Sequence, residues 1–166
     1  MSKLFVDEIQ PKTTGGAVTF PNRPAWSCYL ENEITAQNYT SITPVPLDIK
    51  EFDIGNNLTA DTTNGAIFTA PISGIYQFNL LLKWQNVTGA GYIDVQMYVN
   101  NNVLYGNASY AYRYIEDPQG GTYQSATVSS IIQLTSGQTL KPMFKINVDT
   151  SAGIRKGTRF NGFFVG

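Results

Sequence analysis

The sequence predicts an all-β domain, a sandwich or barrel of short strands. Three observations carry this. Apolar and polar residues alternate with period two in almost every run, turn-forming residues separate those runs at near-regular spacing, and amphipathic helix patterns are nearly absent. At 166 residues the chain suits one domain able to bury roughly 70% of its unfolded surface.

Residues 1–24, "MSKLFVDEIQPKTTGGAVTFPNRP", hold two short β-like runs split by Thr-Gly-Gly and closed by two prolines. They read as an arm that enters the main domain, residues 25–166. The arm's apolar run is too short for a signal peptide or a membrane span. Further on, "NGAIFTAPISG" is a turn, a short strand and a second turn; Pro71 ends the pairing of "AIFTA". "GIYQFNLLLKW" is a long central strand, with Tyr76, Phe78, Leu80, Leu82 and Trp84 on one face and Ile75, Gln77, Asn79, Leu81 and Lys83 on the other. "YIDVQMYVN" sets Ile93, Val95, Met97 and Val99 against Asp94 and Gln96. "ATVSSIIQL" aligns Ala126, Val128, Ser130, Ile132 and Leu134, leaving Ile131 opposite. "TLKPMFKINV" aligns Leu140, Phe144, Ile146 and Val148. Pro142 cannot donate to a ladder, so this strand is expected to start late or to lie at an edge. Turns fall at Asn56-Asn57, Asn64-Gly65, Ser73-Gly74, Thr88-Gly89, Asn100 to Asn102, Gly120-Gly121 and Ser136-Gly137.

Composition narrows the function. Charged residues are 14% of the chain, against a usual figure of about 25%. Asn, Gln, Ser, Thr and Gly take their place, a surface suited to an extracellular or virion setting or to contact with other subunits. A formal charge of −1 gives no electrostatic case for nucleic acid or an anionic membrane. There is no His, which removes the commonest general base and metal ligand. The single Cys28 forms no intrachain disulfide and reads as a small buried hydrophobe. Four Asn-X-Ser/Thr sequons, at Asn38, Asn57, Asn86 and Asn107, read as coincidences of an Asn- and Thr-rich chain.

The order of turn, "AIFTAPISGIYQF" and long strand resembles the globular domain of complement C1q, in the C1q/tumour-necrosis-factor superfamily. "AWSCYL" is similar to that family's first strand, "FDIGNNL" to the segment before the central motif, and "YVNNNVL" to a hairpin with an Asn turn. "SATVSSIIQLTSGQTLKP" resembles its strand pair around a Gly-Asp turn, and "RFNGFFVG" its closing strand. The match runs in order from Ala25 to Gly166. Three features depart from it: Gln138 stands where the family has Asp, the last strand ends Phe163-Phe164-Val165-Gly166 rather than in a Leu pair, and Ser109–Thr122 has no counterpart. The collagen stalk of many animal members is missing. The resemblance implies a ten-stranded jelly-roll sandwich that assembles as a homotrimer. The arm, in turn, resembles the opening of short fibre-like proteins of marine bacteriophages, where such arms intertwine or dock on another virion component.

The residues supply a reason for self-association. Ile75 and Leu81 lie opposite Tyr76, Phe78 and Leu80; Ile131 lies opposite Ile132; Phe163 lies opposite Phe160 and Phe164. A strand that is apolar on both faces needs a neighbour on each. Ile75, Leu81, Ile131 and Phe163 are therefore expected at a subunit interface.

A second group, Tyr110, Tyr112, Arg113, Tyr114 and Tyr123, stands out in "SYAYRYIEDPQGGTYQ". Two readings stand for the tyrosines: packing in the core or at a subunit contact, and a surface for a sugar or protein. Arg113 and Glu116 read as a solvated or inter-subunit pair. Glu116-Asp117 reads as a charged loop rather than a calcium site, and Gln138 in the Gly-Asp position argues further against calcium. No metal and no cofactor is expected. "IRKGTR" (Ile154 to Arg159) is a small basic cluster, read as a solvated turn ahead of a phosphate site. No Ser has a His partner and no carboxylate spacing suggests hydrolysis, so the chain reads as a non-enzyme.

These features imply a virion structural and recognition protein of a bacteriophage: a fibre tip, head appendage or capsid decoration, located at the particle surface. Its expected partners are two further copies of itself, another virion protein through residues 1–24, and a host cell-surface glycan or protein. The alternative is a bacterial secreted or cell-surface binding module of the same fold, and a third reading is a glycan-acting enzyme.

Overall fold

The computed structural model describes residues 23–87, 92–100, 102–103, 112–116, 123–147 and 152–166, the side chains of Ala36, Asn102, Val103 and residues 112–116 excepted. Of the arm, only Arg23 and Pro24 are among them; Tyr110, the Thr88-Gly89 and Gly120-Gly121 turns and Val148 are not.

Among the described residues there are fourteen strands and no helix. They are β1 (Ala25–Tyr29), β2 (Ile34–Gln37), β3 (Thr43–Pro44), β4 (Ile49–Ile54), β5 (Leu58–Asp61), β6 (Gly65–Thr69) and β7 (Gly74–Gln85), then β8 (Tyr92–Val99), β9 (Asn102–Val103), β10 (Tyr112–Glu116), β11 (Tyr123–Leu134), β12 (Thr139–Ile146), β13 (Ala152–Ile154) and β14 (Arg159–Phe164). Two antiparallel sheets of seven strands result. The first runs β4-β1-β14-β7-β11, with β13 and β2 continuing beside the far end of β7. The second runs β10-β8-β12-β6-β5, with β3 on β12 and β9 on β8. This is the jelly-roll sandwich implied by the resemblance. The strand number exceeds ten because segments as short as β3 and β9 pair separately.

The core lies between the sheets, and alternation builds it. Tyr76, Phe78, Leu80, Leu82 and Trp84 of β7 are buried, as are Ile93, Val95 and Met97 of β8, Val128, Ile132 and Leu134 of β11, and Leu140, Phe144 and Ile146 of β12. Trp26 of one sheet stacks on Phe68 of the other, with ring centroids 3.8 Å apart and planes at 15°. Tyr76, Phe78 and Phe160 surround the indole, and such ring pairs add stabilisation beyond their buried area.

Three local features differ from the sequence expectation or explain a departure. Pro142 neither delays β12 nor marks an edge: the strand begins at Thr139 and pairs with β8 on one side. On its other side β12 pairs with β6 at Thr139 and Leu140, then with β3 at Met143 and Phe144. The Pro142 carbonyl accepts from Val45 N at 3.0 Å in the gap between them. A residue's N and O project to the same side of a strand, so the missing donor faces that gap and interrupts no ladder. The Asn64-Gly65 turn is longer than a two-residue loop. Asp61 pairs with Gly65 around residues 62–64, Gly65 takes the left-handed conformation (φ 72°), and the Asp61 carboxylate accepts from Thr63 N at 2.8 Å and from Asn64 N. Gln138 closes the β11–β12 turn through its amide oxygen, which accepts from Thr135 N at 2.8 Å.

Candidate functional site

The outer face of the first sheet is the surface with most to explain. Strand register arranges it in rows. The first row reads Ile54, Ala25, Phe163, Gln77, Ile131 across β4, β1, β14, β7 and β11. Ile131 is 60% exposed, Ile54 52%, Phe163 48% and the nearby Ile75 42%. Val165, also exposed, donates its N–H to Ile75 O at 2.8 Å. The fold gathers Ile75, Ile131 and Phe163, exposed in the single chain, at one end of the sheet, and sets beside them Phe52, Ile54 and Val165, which the sequence reading missed. Leu81 is half-buried two rows away, about 13 Å along β7 at the usual strand rise.

The second row is polar: Ser27, Asn161, Asn79, Ser129, with Phe52 at its β4 end. Asn79 Nδ2 donates to Asn161 Oδ1 at 3.1 Å, and Asn79 Oδ1 accepts from Ser129 Oγ at 2.8 Å and from Gln77 Nε2 at 3.2 Å. Toward β1, Arg159 grips Glu51: Nη2 donates to Oε1 at 2.9 Å, and Nη1 reaches Oε2. Ser27 Oγ donates to Glu51 Oε2 at 2.8 Å. The Arg159 hydrogen bond, followed by that of Ser27, holds the Glu51 carboxyl below its ordinary range.

The far end of the same face is cationic. The "IRKGTR" turn folds against β7. Arg155 N donates to Lys83 O at 3.0 Å, and the fully buried Thr158 accepts from Lys83 N at 3.1 Å and donates to Arg155 O at 2.9 Å. Gly157 is left-handed (φ +77°), and a Cβ there would stand 3.1 Å from Lys83 Nζ. The Lys83 side chain therefore lies across the turn, where a glycine leaves it room. The Arg155 guanidinium sits 3.7 Å from the ring centroid of Tyr123, itself 60% exposed.

The tyrosine group is divided by the fold. Tyr110 lies outside the described residues. Tyr112, Arg113 and Tyr114 belong to β10, the edge of the second sheet, opposite Gln96, Val95 and Asp94. Tyr123 instead starts β11 in the first sheet. On β8, Gln96 Nε2 donates to Asp94 Oδ2 at 2.7 Å, and burial raises the Asp94 carboxyl above its ordinary range. Lys145 Nζ donates to Tyr92 OH at 3.1 Å.

Cys28 is buried, with Sγ donating to Phe160 O at 3.5 Å, and burial pushes its thiol up to about 12. Among the described residues no three His, Cys, Asp or Glu converge as a metal site; Asp117 lies outside them.

No protein-family model and no curated protein matches the chain. Solved structures do. The globular domain of zebrafish complement 1qA superposes with a TM-score of 0.59 at 17% identity, over 86% of this chain and 98% of that one. Murine APRIL superposes with a TM-score of 0.52 at 14% identity, over 87% and 100%. At these identities the likeness is one of fold: the sandwich shares the jelly-roll fold of those two structures.

Proposed function

We propose that the chain is a homotrimeric, non-enzymatic recognition protein of a bacteriophage particle. Residues 25–166 form the recognition domain, and residues 1–24 anchor it to another virion protein. The observation that carries the assembly is the group of exposed apolar side chains at one end of the sheet: Ile54, Phe163 and Ile131 in one row, with Ile75 beside it. Apolar burial is worth roughly 25 cal/mol per Å2, so an interface of ordinary obligate size rivals the stability of a single domain. A three-fold ring closes without open ends. The polar row beside the patch fixes how the copies align, because each unsatisfied amide in an apolar contact is costly. Three copies on one axis present equal outer surfaces, and weak contacts to a cell surface gain avidity.

The virion reading rests on the likeness of the arm to phage fibre openings and on the low-charge surface. Cross-linking of purified particles tests it. Lys3 and Lys12 in the arm are expected to cross-link to a capsid or tail protein; absence of the chain from purified particles would refute the role.

A further inference from the structure

The cationic corner of the first sheet lies about as far from the exposed apolar end as the length of β7 allows. Lys83, Arg155 and Lys156 take part in neither of the two salt bridges found among the described residues, and Arg155 Nε is buried without a hydrogen-bond partner. Among the described residues, Arg155 and Lys156 of the turn and Lys83 of the adjoining β7 have no carboxylate partner, and three such cations side by side repel one another. The corner is also tied down. Buried Thr158 accepts from Lys83 N of β7 and donates to Arg155 O within the turn, Arg155 N donates to Lys83 O, and Gly157 makes the room that lets Lys83 cross the turn. Beside these cations stands an aromatic ring held from one side: Arg155 covers part of Tyr123 and leaves the rest in solvent. On the same outward face of β11, Ser125 and Thr127 are exposed hydroxyls that continue the surface.

We propose that Tyr123, Arg155, Lys83 and Lys156 form a binding site for an oxyanion-bearing saccharide. Each part has a role. A guanidinium prepositioned on an aromatic ring meets a carboxylate or sulfate with paired, charge-assisted hydrogen bonds. The two lysines add charge without further geometric demand. The open part of the Tyr123 ring gives an apolar platform for the C–H face of a sugar ring, at low entropic cost for a side chain of two torsions. Ser125 and Thr127 can exchange hydrogen bonds with sugar hydroxyls. This inference rests on the reading of the chain as a cell-surface recognition protein and names the ligand class.

The test is glycan binding by the full chain, with oligomeric mass measured in parallel. Three probes separate the sources of the anion: oligogalacturonate carries carboxylates alone, dextran sulfate carries sulfates alone, and maltohexaose is neutral. Binding to either acidic probe but not to maltohexaose is expected, weakening with salt. Arg155→Gln and Tyr123→Ala are each expected to weaken it about tenfold or more. Lys156→Gln, at an exposed position of the turn, gives a smaller loss in the same direction. Equal binding of the neutral probe, no binding of either acidic one, or unchanged affinity in the variants at unchanged fold would overturn the site. Dissociation of the assembly by Tyr123→Ala or Lys156→Gln would assign the corner to a subunit contact instead, again overturning it. A wild-type protein that binds no acidic probe yet keeps its assembled mass leaves the trimer standing and removes only this inference.

Discussion

Gly162 is the cross-strand partner of Trp26, and the indole lies where a side chain at 162 would be. A Cβ built on Gly162 would stand 2.4 Å from Trp26 Cζ2 and 2.5 Å from Gln77 O. The ring can neither move away, being stacked on Phe68, nor can the β7 backbone yield without loss of its ladder. Gly162→Ala is therefore expected to cost about 1–3 kcal/mol, the range for overpacked cores. A urea titration checks this: the midpoint should fall clearly, and an unchanged midpoint would show that the two sheets are looser than described.

Cys28 is expected to be inert in the native protein. Its thiol is buried, bonded to the Phe160 carbonyl and pushed up to about 12, so almost no thiolate exists near neutral pH. An aromatic disulfide reagent should label it only after unfolding in guanidinium. Rapid labelling of folded protein would contradict its placement.

Two aspartates give opposite pH dependences. The backbone N–H of Asn64 is the main cause holding Asp61 below its ordinary range. Its contribution is present above the unfolded value of about 4 and is lost as pH falls through the lower folded value. Asp61→Asn keeps one acceptor oxygen and should cost about 1 kcal/mol at neutral pH, a deficit that shrinks in acid. Asp94 is raised by burial, so the native state holds its proton to a higher pH than the unfolded chain. Stability is therefore lost as pH rises through that window, and Asp94→Asn should flatten this part of the profile. Chemical denaturation across an acid series distinguishes the two signs; matching slopes for both variants would contradict the assignment.

The outer apolar row predicts which substitutions act on assembly rather than on folding. Ile131 and Phe163 are exposed in the single chain, so Ile131→Glu and Phe163→Glu should leave the strand spectrum by circular dichroism intact. Each should lower the assembled mass. Unfolding of either variant as a monomer would place these side chains in the core instead.

The strands were readable because their period is long enough to count: ten residues of β7, 75–84, and the twelve of β11 alternate without a break. The exposed apolar residues Ile75, Ile131 and Phe163 are legible from the same signal, as the apolar exceptions on a polar face. Phe52 and Ile54 carry that period too, but β4 is short and its neighbours are charged. Other features depend on relations that spacing does not encode. Pro142 is tolerated inside β12 because its missing donor faces a gap between two partner strands. Tyr123 belongs with Arg155 rather than with Tyr112 and Tyr114, because the chain changes sheets between β10 and β11.

The proposed trimer is tested most directly by the mass of the native protein in solution. Light scattering coupled to gel filtration, at micromolar concentration, should return three times the 18.3 kDa of one chain. A monodisperse species at the mass of a single chain would mean that the Ile54–Phe163–Ile131 row faces water, and the proposed assembly would be wrong.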